Sequence, residues 1–375
     1  MREQPLILIV EDNPANLDIM KTRLIANDYA VITAMDGEEG LQKAREIEPD
    51  LVLLDILMPK LDGLEVCRRL KADPLLPFIP IILVTAKASS KDIIAGLEAG
   101  GDEYLTKPVN HGALVARVKS MLRIKDLHDT VVEQSAQLKT QLKAATKIQT
   151  LFWPQLPKPN ANCSIWGVSV PATYVGGDLY DIIPLTDGSH LCYIADVSGK
   201  GVPAALIMAA LSTKFRAASH LYYDLNKLLQ SVNLTMFELT FEEGSFATAI
   251  LIRYWPDTGK LQFIRAGHPS PLWINGGTVQ NLPQENNIAL GVTPKIDFEM
   301  CEIVLAEGDS MLFYTDGVTD AENGTHELFG IERLEKFIEK ASGPPRGKEL
   351  LNEVNRWRGG AEVNDDLTLL EIWRK

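Results

Sequence analysis

Along residues 1–108, short apolar and β-branched runs at 6–10, 30–34, 51–54, 79–85 and 103–106 alternate with segments whose apolar residues recur at helical spacing. Asn13 before Pro14 is a capping residue followed by proline at the first helical position. Asp36 can cap the helix that carries Leu41 and Ala44. Ser89 or Ser90 can begin the helix that carries Ile93, Ile94 and Leu97, and Gly100 can end it. Five such strand–helix repeats predict a doubly wound, flavodoxin-like α/β domain with a five-stranded parallel sheet covered on both faces.

The pattern changes near Ala113. Residues 115–152 contain neither glycine nor proline and are rich in Lys, Gln, Glu and Ala. Ile124, Val131, Leu138, Ala145 and Phe152 fit the a positions of a heptad, but Gln134 and Gln141 fall at d and weaken it. Either a dimeric helical connector or a single solvated helix fits, and Pro154, Pro157 and Pro159 then break it. Residues 160–375 read as α+β. Strand-like runs lie at 163–170, 191–196, 247–253, 261–266, 271–274, 310–314 and 368–373, and helical runs at 203–219, 224–239, 331–340 and 347–356. Strands cluster more than they alternate with helices, which predicts largely antiparallel sheets flanked by helices.

Composition narrows the function classes. A net charge of −13 argues against non-specific binding to phosphate backbones, so no nucleic-acid partner is expected. Cys67, Cys163, Cys192 and Cys301 are scattered without ligand spacing and read as buried thiols in a reducing compartment. No apolar run is long enough to span a bilayer, and 6–10 is too short for a signal-peptide core, so the expectation is a cytoplasmic protein without a membrane partner.

Two acidic constellations carry the chemistry. In a parallel sheet the carboxyl ends of the strands share one edge, where ligands bind. That edge would collect Glu11 and Asp12 after the first strand, Asp55 after the third, Thr85 after the fourth and Lys107 after the fifth. Two carboxylates can hold Mg²⁺, the metal shields Asp55 so that it can attack a phosphoryl group, and Thr85 and Lys107 bind the incoming oxygens. A cis peptide at Lys107-Pro108 would aim the lysine. Residues 5–123 resemble the receiver domain of two-component response regulators. The resemblance implies Asp55 as phosphoacceptor and Glu11, Asp12, Asp55 and the Leu57 carbonyl as Mg²⁺ ligands. It also implies Thr85 and Tyr104 as a switch pair, Lys107 as the phosphoryl-binding cation, and a sensor histidine kinase as partner. Gly100-Gly101-Asp102-Glu103-Tyr104 looks like a diguanylate cyclase signature, but its place just before Lys107-Pro108 makes it a helix end followed by a strand.

The second constellation is Gly176-Gly177-Asp178-Leu179-Tyr180-Asp181, Ala195-Asp196-Val197-Ser198-Gly199-Lys200-Gly201, Tyr314-Thr315-Asp316-Gly317-Val318 and Asn364-Asp365-Asp366-Leu367-Thr368. Each sets an aspartate beside a turn former next to an apolar run, so strand ends can deliver the carboxylates into one pocket. Converging carboxylates cannot all stay ionised without cations, and two divalent ions would make a hydrolytic centre of them. There is no P-loop, no H-E-x-x-H, no serine nucleophile elbow, and no cysteine followed by arginine six residues later.

Residues 150–375 resemble the SpoIIE-like branch of the metal-dependent PPM protein phosphatases, with Ala266-Gly267-His268-Pro269 as a further landmark. The resemblance implies an αββα sandwich and hydrolysis of phosphoserine or phosphothreonine with two Mn²⁺ or Mg²⁺ ions. Asp178, Asp196, Asp316 and Asp365 are then the catalytic aspartates. Asp178 and Asp196 hold the metal pair with the Val197 carbonyl, Asp316 and Asp365 complete one ion's shell, and Asp366 supports them. Lys200 replaces a histidine common in the family and either leans toward phosphate or is a solvated loop lysine. Asp320 either helps bind a third metal or lies at the surface, and Asp181 either supports a ligand or forms a turn. No arginine precedes Gly176 to grip phosphate; Thr173 stands there. His268 reads as a structural hydrogen bonder.

The expected organisation is a receiver at 1–123, a helical connector at 124–157 and a phosphatase at 158–375. Phosphorylation of Asp55 would control the phosphatase through the connector, with Ile148, Leu151, Phe152 and Leu156 as transmission contacts or plain core. The resemblance suggests a phosphorylated STAS-type anti-sigma-factor antagonist as substrate. A homodimer through receiver and connector is expected. The rivals are a catalytically silent adaptor, which the intact aspartates disfavour, and a nucleotide cyclase, which leaves Asp316 and Asp365 unexplained.

Overall fold

The computed structural model describes residues 4–86, 90–157, 162–282, 287–341 and 343–375. By compactness the chain divides into two units, Met1–Lys139 and Thr140–Lys375.

The first unit alternates β1 (Leu6–Val10), α1 (Pro14–Ile25), β2 (Ala30–Ala34), α2 (Gly37–Ile47), β3 (Leu51–Asp55), α3 (Gly63–Lys71), β4 (Ile81–Thr85), α4 (Ser90–Glu98) and β5 (Glu103–Thr106) before α5 (His111–Gln149). The five strands are parallel in the order β2-β1-β3-β4-β5. The caps act as the sequence predicts. Asn13 Oδ1 accepts from the Ala15 and Asn16 N–H groups, and Asp36 Oδ1 accepts from Glu39 N–H. Gly100 follows α4 at φ +98°, where glycine carries no steric cost. Ser89 lies outside the described residues, as does Pro159; α4 begins at Ser90. The alternate residues of β1 and β3 divide between two cores. Ile7, Ile9, Leu51 and Leu53 pack with α1 and the first turns of α5, while Leu8, Val10, Val52 and Leu54 pack with α2 and α3.

The second unit holds β6 (Cys163–Val170), β7 (Leu179–Pro184), β8 (His190–Val197), α6 (Val202–Leu221), α7 (Leu225–Thr240), β9 (Ala247–Tyr254), β10 (Lys260–Ala266), β11 (Leu272–Asn275), β12 (Thr278–Gln280), β13 (Cys301–Val304), β14 (Ser310–Tyr314), α8 (Ile331–Lys340), α9 (Arg346–Arg358) and β15 (Leu367–Arg374). Two antiparallel sheets, β13-β10-β9-β8-β7 and β12-β11-β14-β15-β6, enclose one core that includes Tyr180, Ile182, Cys192, Ile194, Phe263, Met311, Phe313 and Leu370. Fully burying such a side chain contributes about 1.5–3 kcal/mol. The outer face of the first sheet packs on α6 and α7 through Leu179, Tyr193, Met208, Phe215 and Leu229. The outer face of the second packs on α8 and α9 through Leu312, Leu334, Leu350 and Leu369. The result is the αββα sandwich. The sequence pattern misses β7, whose interior carries Asp181, and β12 and β13, which are short strands at sheet edges.

Candidate active sites

In the first unit, Glu11, Asp12 and Asp55 each offer a carboxylate oxygen within 4.8 Å of the other two. No other trio of acidic, histidine or cysteine side chains does so among the described residues. Lys107 Nζ donates to Asp55 Oδ2 at 2.7 Å and to Glu11 Oε1 at 2.8 Å, and the Lys107-Pro108 peptide is cis. Burial raises the Asp55 carboxyl above its usual range; Lys107 opposes that shift and Glu11 adds to it. Burial works against the Lys107 charge, but the hydrogen bonds to Asp55 and Glu11 outweigh it and leave its pKa raised. Leu57 N–H donates to Asp55 Oδ1 at 3.3 Å. Thr85 ends β4 and is buried. Tyr104 is half-buried on β5, with the Arg117 guanidinium 5.4 Å from its ring centre. Asp102 accepts from Ile81 N–H and Lys71 Nζ, so the cyclase-like stretch is the start of a strand.

In the second unit, strand parity assembles the site. Along β8, Leu191, Tyr193 and Ala195 face α6 and α7, while Cys192 and Ile194 face the other sheet. Asp196 continues that inner row at the strand's end. Asp178 continues the inner row of Tyr180 and Ile182 on β7, one residue before the Leu179–Ala195 pair. Thr315 continues Met311 and Phe313 on β14, and Asp366 continues Thr368 and Leu370 on β15. Thr315 Oγ1 donates to Asp178 Oδ2 at 2.8 Å and accepts from Thr368 N–H at 2.9 Å.

Asp366 is buried and acts as a loop anchor. Its Oδ1 accepts from Ala172 N–H at 2.8 Å, and its Oδ2 from Gly177 N–H at 2.7 Å and Asp178 N–H at 3.3 Å. Such closeness forbids side chains on the neighbouring turns. A Cβ on Gly176 would lie 2.0 Å from Asp366 Oδ2, and one on Gly317 would lie 1.8 Å from the Asp366 carbonyl oxygen.

The electrostatics follow from crowding. Burial pushes Asp178 well above the usual carboxylate range, and Asp196 adds to the shift. Burial, then Asp316, Asp365 and Asp366, pushes Asp196 up to about 7. Asp316 is raised by burial, then by Asp365 and Asp320. Among the described residues no ion pair joins Asp178, Asp196 or Asp316 to a lysine or arginine. Buried carboxylates that raise one another's pKa and lack cationic partners are a donor set suited to divalent cations.

Two side chains, Asp181 and Lys200, behave otherwise than the sequence reading allowed. Asp181 is fully buried and bidentate with Arg216, which donates from Nε at 2.7 Å and Nη2 at 3.0 Å. It stands an odd number of positions from Asp178, so the pleat turns it away from the acidic pocket toward α6. It therefore neither forms a turn nor reaches that pocket, and parity alone could have separated the two. Lys200 is exposed, but it bridges to Asp365 Oδ2 at 3.2 Å and also bonds the Asn364 carbonyl. Asp320 is exposed, with its N–H on the Asp316 carbonyl at 2.8 Å. His268 is buried with Nδ1 2.7 Å from Thr248 Oγ1, and burial lowers its pKa to about 3, as befits a structural group. The sequence reading missed the bonds of Gln149 to Gly176 N–H and C=O, of Thr146 to the Tyr174 carbonyl and of Thr315 to Asp178, because polar residues at isolated positions carry no periodic signal.

The comparisons agree with this fold. The family model for stage II sporulation protein E (SpoIIE) matches residues 186–375, and the one for the response regulator receiver domain matches residues 7–119. The fold and site therefore define a receiver domain followed by a protein-phosphatase domain. The chain belongs to the SpoIIE family. Response regulator PleD of Caulobacter vibrioides is 44% identical over 130 residues, covering 35% of this chain and 29% of PleD. The alkaline phosphatase synthesis transcriptional regulatory protein PhoP of Bacillus subtilis is 44% identical over 121 residues, 32% of this chain and 50% of PhoP. The chain thus spans half or less of the length of these curated relatives. The structure of the RsbU and RsbW domains of a Mycobacterium tuberculosis protein shares 26% identity at a TM-score of 0.50, covering 60% of this chain and 62% of that one. The SiaA-PP2C domain of Pseudomonas aeruginosa shares the fold at a TM-score of 0.57 with 22% identity, covering 64% of this chain and 98% of that domain. No helix among the described residues is long and apolar enough to cross a membrane.

Proposed function

We propose that this protein is a response regulator in which phosphorylation of Asp55 by a sensor histidine kinase controls a metal-dependent phosphoserine/phosphothreonine phosphatase. Its substrate is a phosphorylated STAS-type anti-sigma-factor antagonist. One observation carries the reading: Asp178, Asp196 and Asp366 are led by strand parity to one end of the inter-sheet face, and Asp178, Asp196 and Asp316 shift upward together as crowded, uncompensated carboxylates.

Asp178, Asp196, Asp316, Asp365 and the Val197 carbonyl would hold two Mn²⁺ or Mg²⁺ ions. When bound, such ions acidify water and draw charge off the phosphoryl oxygens. The chain's own share is placement. Thr315 fixes the Asp178 carboxylate, Asp366 fixes the loop that presents it, and Lys200 restrains Asp365. Water oxygen attacks phosphorus, the bond from phosphorus to the serine oxygen breaks, and that oxygen leaves with a proton. In the receiver, Glu11, Asp12, Asp55 and the Leu57 carbonyl would hold Mg²⁺, Lys107 and Thr85 receive the phosphoryl oxygens, and Tyr104 completes the switch pair. The 124–157 connector transmits the change, and receiver and connector support a homodimer.

The test is Mn²⁺-dependent release of phosphate from a phosphoserine STAS protein, abolished in Asp196→Ala. Absence of turnover under every metal condition would favour a silent adaptor. Asp55→Asn should remove the response to a small phosphodonor and keep basal turnover; unchanged stimulation would take Asp55 out of the scheme.

A further inference from the structure

A cleft of the second unit takes no part in the metal chemistry. It lies between β12 and α8 and holds about 730 Å³, a size typical of ligand-binding clefts. Val279 of β12, Leu282 just beyond it, Ile331 and Glu335 of α8, and Arg265 and Tyr314 near the ends of β10 and β14 line it. Thr319 and Asp320 also line it, and they belong to the turn that follows Asp316. Thr319 Oγ1 donates to the Asp316 carbonyl at 3.0 Å, and Asp320 N–H donates to the same oxygen at 2.8 Å. Through that turn the cleft is continuous with the candidate metal pocket. Its rim is apolar and open to water: Leu328 is 49% exposed and Ile331 42%. Its charge is unbalanced. Asp320 and Glu335 bring two carboxylates against the one guanidinium of Arg265, whose Nη1 already donates to the His268 carbonyl at 3.2 Å. Burial pushes the Tyr314 phenol up to about 12, Glu335 adds to the shift and Arg265 opposes it, so both charges act on that ring.

We propose that this cleft takes the stretch of substrate chain next to the phosphoserine and favours a lysine or arginine in it. This rests on the phosphatase reading above. A mid-chain phosphoserine whose phosphate enters the metal pocket must lay its neighbours on the surface beside that pocket, and the Thr319-Asp320 turn leads them into the cleft. Val279, Leu328 and Ile331 give that stretch apolar contact, and a cation on it offsets the surplus carboxylate of Asp320 and Glu335. The selection is made in binding, so it belongs in the KM for phosphopeptide and leaves the phosphoryl chemistry alone.

The full-length protein is assayed with Mn²⁺ on p-nitrophenyl phosphate and on two phosphoserine peptides, alike except for lysine or glutamate at the positions flanking the phosphoserine. The wild type should cleave the lysine peptide with a kcat/KM about fivefold to tenfold above that of the glutamate peptide. Glu335→Lys should erase most of that preference through KM and leave turnover of p-nitrophenyl phosphate unchanged. Glu307→Lys makes the same change of net charge in the turn before β14, at the other end of that strand from Asp316, and should keep the preference. Equal rates on the two peptides in the wild type would overturn the proposal. So would a preference that survives Glu335→Lys, or one that Glu307→Lys removes as fully. A loss of p-nitrophenyl phosphate turnover in Glu335→Lys as large as the loss on peptide would place Glu335 in the fold and sink the proposal too. If the wild type cleaves none of the three under any metal condition, the phosphatase reading fails, and fluorescence anisotropy of the labelled peptides decides the cleft. Tighter binding of the lysine peptide that Glu335→Lys abolishes supports docking; equal binding overturns it.

Discussion

Stripping divalent cations should leave the second unit destabilised by its own carboxylates, increasingly so as pH rises. Burial and three neighbouring acids push Asp196 from an ordinary 3.8 up to about 7, and Asp178 moves the same way. Between the unfolded and folded pKa the folded state binds more protons, so stability falls with rising pH across that window. The contribution is full below about pH 4 and lost above about pH 7. Each pH unit of the window is worth about 1.4 kcal/mol, so the coupled carboxylates around Asp196 together remove on the order of a few kcal/mol by pH 8. All six tryptophans lie at Trp153 or beyond, so their fluorescence follows the second unit selectively. Urea unfolding in EDTA should show falling stability between pH 5 and pH 8, and Mn²⁺ should restore it. Asp196→Asn removes the charge, so at pH 8 in EDTA it should be more stable than the wild type and less responsive to Mn²⁺. A flat stability profile in EDTA, or an asparagine variant weaker than the wild type at pH 8, would refute the reasoning.

Three other perturbations probe the supports. Asp366→Ala strips the acceptor from the Ala172, Gly177 and Asp178 N–H groups and should cost about 3 kcal/mol in urea unfolding, with a matching fall in phosphate release. Gly176→Ala forces a methyl to within 2.0 Å of Asp366 Oδ2, so it should lower turnover more than tenfold and cost about 1–3 kcal/mol. Arg216→Ala leaves the Asp181 carboxylate buried without its guanidinium. Because Arg216 is half exposed, the loss should be about 2–3 kcal/mol, below the cost of breaking a fully buried pair, and a thermal melt will read it.

The period of the apolar runs determined the α/β fold of the first unit by itself. Leu6–Val10, Ala30–Ala34 and Glu103–Thr106 are strands with the bounds the pattern assigns, because apolar runs bounded by turn formers have few other ways to be buried. The acidic motifs were legible too, since aspartate beside glycine after an apolar run marks a strand end. Which aspartates meet was a tertiary decision. Asp178 and Asp181 share one motif, yet the pleat sends one to the inter-sheet face and the other to Arg216 on a helix 35 residues away. Asp366 looked like a spare neighbour of Asp365, and folding made it the anchor of a loop 188 residues earlier. Gln149 was one glutamine among several on a polar helix. Only the packed chain, by setting the Gly176 N–H and C=O within reach of its side chain, gave its amide something to hold.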